Sequence, residues 1–109
     1  MVQQGVVNIP LLRSDIVAIY TKNRLVFVVD HNAKKYVVDK TLTELENELD
    51  KSVFFRANRQ YIININFVRS FKPHQKVKLL VHLDMFEPEE PVIISQQAAP
   101  AFKRWLENA

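Results

Sequence analysis

Between Phe54 and Phe71 the chain reads FFRANRQYIININFVRSF, an acid-free stretch that sets arginines and amides among aromatic and β-branched residues. Its polar break, Arg56-Ala57-Asn58-Arg59-Gln60, carries Arg59, whose fork of donors suits phosphates and guanine edges. Two other short segments concentrate the same chemistry, Lys22-Asn23-Arg24 and Ser95-Gln96-Gln97. Arg and Lys pair with guanine, Asn and Gln with adenine, and hydroxyls, amides and helix N-termini hold phosphates. Three polar tips of this composition in one small chain point towards a nucleic acid.

Other chemistries lack their residues. His31, His74 and His82 are scattered without HxxxH or HExxH spacing, and the chain has no cysteine, so no metal site or disulfide is expected. A single glycine in 109 residues is too few for a P-loop or GxGxxG cradle. Ser14, Ser52, Ser70 and Ser95 lie in no nucleophile-elbow context, and Glu89-Glu90 reads as a solvated turn between prolines. No catalytic residue and no cofactor is expected. The cysteine-free composition suits a reducing compartment, hence the cytoplasm. The longest purely apolar run, Leu25 to Val29, is too short to span a bilayer, and no signal-peptide pattern opens the chain.

Net charge is only +3, but its distribution is uneven. From Lys51 to Leu83 there are seven basic residues and no acid, while the rest holds eight basic and twelve acidic residues. A segregated basic segment in a near-neutral domain is the electrostatic footprint of a polyanion binder, although lysines guarding strand edges leave the same mark.

Positioning these tips requires strands. Asp15 to Thr21 and Leu25 to Asp30 read as strands joined by Lys22-Asn23-Arg24. His31-Asn32 makes a turn, with Asn32 suited to positive φ, and Lys35 to Val38 a third strand. Thr41 to Asp50 reads as a helix, with a Thr41/Glu44 capping box and Leu42, Leu45 and Leu49 on one face. Strands open at Phe54 and resume at Tyr61, and Asn64 at the end of the second ties up turn amides. Val68 to Lys72 is a strand stopped by Pro73, and Lys76 to Leu83 alternates, with Val77, Leu79, Val81 and Leu83 on one side. Asp84 to Pro91 is an acidic loop and Val92 to Ile94 a short strand. A closing helix starts at Ser95 or, better for Pro100, near Ala99, and buries Phe102, Trp105 and Leu106. Residues 1–12 read as a tail or linker, and residues 13–109 as one domain.

The order of these pieces resembles the LytTR-type DNA-binding domains of bacterial transcription (response) regulators. Ser14-Asp-Ile-Val-Ala-Ile-Tyr20 is similar to their opening strand, and Thr41-Leu-Thr-Glu-Leu-Glu46 to their helix. Phe55-x-Arg-x-Asn-Arg-x-Tyr-Ile-Ile-Asn64 resembles their core, and Val92-Ile-Ile-Ser95 their last strand. Phe102-Lys-Arg-Trp-Leu106 resembles the closing helix of Bacteroidetes-type members.

The resemblance implies a mainly β fold: an elongated stack of small antiparallel sheets with one mid-chain and one C-terminal helix. It implies sequence-specific binding of double-stranded DNA, at repeated half-sites, by loops inserted into successive grooves. The contacts would come from Lys22, Asn23, Arg24, Asn58, Arg59, Gln60, Gln96 and Gln97. Position 58 is Asn where the family usually has His, and position 96 is Gln where Arg is usual; the second change favours adenine over guanine. An upstream receiver or sensory domain and its sensor kinase are implied as partners in a two-component system. Two other readings stay open on the residues alone, a single-stranded nucleic-acid binder and a β-rich interaction or dimerisation module. The first would need exposed aromatics, and the second exposed apolar edges.

Overall fold

The computed structural model describes residues 2–4, 7–9 and 12–108. Short strands β1 (Val2–Gln4) and β2 (Val7–Ile9) form a two-stranded antiparallel ribbon inside the segment expected as a tail. Met1, Gly5, Val6, Pro10, Leu11 and Ala109 lie outside the described residues.

Strands β3 (Ile16–Lys22), β4 (Leu25–Asp30), β5 (Lys35–Val38), β6 (Phe54–Arg56) and β7 (Tyr61–Asn64) build a five-stranded antiparallel sheet in the order β5-β4-β3-β7-β6. Strands β8 (Val68–His74), β9 (Lys78–Leu83) and β10 (Val92–Ile94) make a second antiparallel sheet, ordered β10-β9-β8. Helix α1 (Leu42–Glu48) lies in the connection between β5 and β6, and helix α2 (Ala99–Glu107) closes the chain. This is the mainly β, sheet-stacking architecture that the sequence implied, and the molecule is elongated at 46 × 29 × 24 Å.

Because strand side chains alternate, the five-stranded sheet is apolar on both faces. One face places Ile19, Val28, Tyr36 and Ile62 against Leu42, the first residue of α1, and Leu49, its C-cap. The other sets Ala18, Tyr20, Val29, Tyr61 and Ile63 with Leu79, Val81 and Ile94 of the second sheet and Phe102 and Trp105 of α2. Phe102 is fully buried, and its ring meets Phe55 and Phe71 edge-on at 5.6 and 5.3 Å. The Thr41/Glu44 capping box forms as expected.

Several boundaries move. The mid-chain helix is shorter than Thr41–Asp50, since Thr41 is its cap and Leu49 already has extended dihedrals. Positive φ falls at Ala33 and not at Asn32, because Asp30 accepts from both the Asn32 and Lys34 amides and sets the turn one residue later. Strand β8 runs through Pro73 to His74, paired with Leu79 and Lys78. It is an edge strand, where a proline without an N–H is tolerated. The following strand starts at Lys78 because Gln75 and Lys76 both adopt positive φ as the hairpin turn, and Val77 is left exposed. Helix α2 begins at Ala99 with Pro100 in its first turn, while the Ser95 hydroxyl accepts from Ala98 N at 3.2 Å in the preceding turn.

Candidate nucleic-acid interface

Each polar tip is held by backbone geometry at the end of a strand. In the β3–β4 hairpin Lys22 pairs with Leu25 across a two-residue turn, and Asn23 and Arg24 have φ of 53° and 66°. Positive φ at both central residues is what a type I′ hairpin turn demands. Asn tolerates it, whereas Arg24 does so at a steric cost. Both side chains are exposed.

The second tip is the loop between β6 and β7, and it is built by two side chains. Arg56 Nε donates to Asn58 O at 2.6 Å, and its terminal nitrogens reach Arg59 O at 3.0 Å and Glu46 Oε1 at 3.2 Å. The guanidinium therefore ties the loop to α1. Asn58 Oδ1 accepts from Gln60 N at 2.8 Å and Tyr61 N at 2.9 Å, while Asn58 Nδ2 donates to Ile93 O at 2.9 Å. The Asn58 amide is thus committed within the protein and positions its neighbours. Arg59 is exposed, and its side chain has no hydrogen bond or ion pair among the described residues. Gln60 is half-buried and its carbonyl accepts from Thr21 N at 3.0 Å.

Gln96 and Gln97 are exposed in the turn that enters α2. The three tips are joined by the bonds just described. Thr21 N to Gln60 O ties the first hairpin to the central loop, and Asn58 Nδ2 to Ile93 O ties that loop to the strand leading into Gln96. Segments 39 and 35 residues apart in sequence are thereby brought together, the second bond bridging the two sheets.

Lys22 differs from the other cations of this region. Its ammonium pairs with Glu89 in the acidic loop, which raises the lysine pKa and lowers that of the glutamate. Lys22, Gln60, Tyr61, Glu89 and Glu90 line one shallow cleft beside the first two tips. Burial, reinforced by the nearby Glu90 charge, pushes the Tyr61 phenol up, and its hydroxyl donates to Glu90 O at 3.3 Å. Glu89 is therefore more than a solvated turn residue. The roles of Glu46 and Glu89 escape sequence reading, because their partners lie 10 and 67 positions away along the chain. Only Arg56, inside the polar break, carried a hint in its position.

Among the described residues no group of three His, Asp or Glu side chains could hold a metal ion, and no helix is long and apolar enough to cross a membrane.

Comparison with known proteins agrees with this geometry. No curated protein matches the chain significantly. Among solved structures, the LytTr DNA-binding domain of a protein described as a methyl-accepting/DNA response regulator from Bacillus cereus is similar. It superposes with a TM-score of 0.80 at 25% identity, covering 96% of this chain and 93% of that one. The family model of the LytTr DNA-binding domain matches residues 7–107. The match takes in both sheets, both helices and all three polar tips, and the chain belongs to the LytTr DNA-binding domain family.

Proposed function

We propose that this chain binds double-stranded DNA in a sequence-specific manner, as the output domain of a bacterial transcription regulator. The observation that carries the reading is the linking of the three tip-bearing segments through Thr21–Gln60 and Asn58–Ile93. Exposed Arg24, Arg59, Gln96 and Gln97 then present guanidinium and amide groups in a form that suits base edges and phosphates. Asn23 and Gln60 flank them, Lys22 adds a cation at the hairpin base, and Asn58 acts by positioning.

Burial of the aromatics supports duplex over single-stranded DNA. Tyr20, Tyr61 and Phe102 are interior, so these rings offer no stacking platform for unpaired bases. Residues 13–109 form the binding unit in this reading, with a receiver or sensory domain upstream in a longer parent chain, and a sensor kinase acting on it in the cytoplasm. Repeated half-sites fit several such domains along one duplex.

The test is a gel shift with duplex and single-stranded oligonucleotides of random and selected sequence at two salt concentrations. Duplex binding should dominate and weaken with salt by roughly 0.9 log–log units per phosphate contact. Salt-independent affinity, or no duplex binding at low salt, overturns the reading.

A further inference from the structure

The acidic loop contributes a second, opposing charge to the same surface. Asp84 to Pro91 carries four acids, and it is fastened down at several points. The Phe86 ring stacks on Tyr20 at 5.9 Å, Tyr61 Oη donates to Glu90 O, and Met85 takes a φ of 68° that turns the chain. Lys35 Nζ sits over both rings of the stack, at 5.7 and 5.9 Å. These contacts hold Glu89 beside the base of the first hairpin, where it meets Lys22. Arg24 and Arg59, the neighbouring cations on the tips, have no acidic partner among the described residues.

We propose that Glu89 is an internal competitor for DNA phosphate at Lys22. A carboxylate presents the same oxygen chemistry to an ammonium as a phosphate does, so Lys22 reaches the duplex only after leaving Glu89. Both side chains are substantially exposed, at 43% and 67%, so the pair is a modest and reversible brake. A duplex with its full phosphate array displaces it; a weak or transient encounter does not. The proposal rests on the DNA-binding reading of the hairpin tip and adds a residue that lowers affinity.

The experiment compares wild type, Glu89→Gln, Glu87→Gln, Lys22→Ala and the Lys22→Ala/Glu89→Gln double variant on one duplex oligonucleotide across a salt series. Glu87 lies in the same loop without an ion-pair partner among the described residues, so its variant measures general repulsion alone. Glu89→Gln should raise affinity about two- to five-fold, the range of an exposed ion pair. It should also steepen the salt slope by up to about 0.9. In the Lys22→Ala background the same change should have no more effect than Glu87→Gln.

Equal gains from Glu89→Gln and Glu87→Gln, or a gain larger than that of Glu87→Gln that persists without Lys22, overturn the competitor. A second arm needs no DNA: NMR titration of the Lys22 ammonium should show its pKa falling in Glu89→Gln. If the pKa falls while wild type binds no duplex, the DNA reading fails and the competitor fails with it. If wild type binds duplex and Glu89→Gln changes nothing, the competitor alone fails.

Discussion

Arg56 and Arg59 stand three positions apart in one polar break, yet the fold gives them opposite tasks. Arg56 spends its donors on two loop carbonyls and Glu46, while Arg59 lends only its backbone carbonyl and projects into solvent. Arg59→Ala should therefore leave the melting temperature nearly unchanged and weaken preferred-site binding by about 1–3 kcal/mol. Arg56→Ala should lower both, because orphaned carbonyls and Glu46 are left behind. Thermal melts alongside gel shifts separate the two, and a stable but non-binding Arg56→Ala would reassign Arg56 to direct contact. Asn64 is a purely internal case. It is fully buried, donates to Ile16 O at 2.8 Å and accepts from Asn66 N at 2.9 Å. Asn64→Ala should cost about 1–3 kcal/mol in denaturant unfolding, as expected when buried partners are stranded.

At the scale of elements, turns without glycine are the recurring feature. The Asn23-Arg24 turn holds an arginine in a conformation that glycine adopts freely. Arg24→Gly creates the Asn-Gly pair preferred in type I′ hairpins and should stabilise the protein by about 1 kcal/mol. It should weaken DNA binding at the same time; a variant that gains stability and keeps full affinity removes Arg24 from the interface.

The β4–β5 turn is closed differently, around Asp30. Burial pushes this carboxyl up, but bonds from Lys34 N, Asn32 N and the Tyr36 hydroxyl outweigh burial, and its pKa is lowered overall. A depressed folded-state pKa means that its stabilisation is present above the ordinary aspartate value of about 4 and is lost as pH falls below it. Asp30→Asn should flatten the acid limb of a stability–pH curve, read by urea unfolding between roughly pH 2 and 5.

For the whole molecule, Asn58 is the side chain that couples the two sheets at the interface. Asn58→Ala strands Gln60 N, Tyr61 N and Ile93 O together. We expect faster amide exchange in both the central loop and β10, with a loss of affinity exceeding that for Gln96→Ala. Exchange that rises in the loop alone would show that the sheets are aligned by the apolar core without Asn58.

Much of this architecture is local and therefore legible in the sequence. Short apolar, β-branched runs bounded by turn residues placed β4, β5 and β10 correctly, the Thr41/Glu44 spacing specified its capping box, and the Asn64 turn was readable from residue type. These features depend on neighbours within about four residues, where propensity and hydrogen-bonding geometry act directly. Strand β8 continued past Pro73 because sheet order made it an edge, which no local pattern states. The sequence alone also marked the three polar tips by composition. Tertiary structure decided their use: it committed Asn58 to Ile93, left Arg59 exposed and set Glu89 on Lys22. Those outcomes join residues 35 and 67 positions apart, and only close association of the two sheets brings such groups within hydrogen-bonding range.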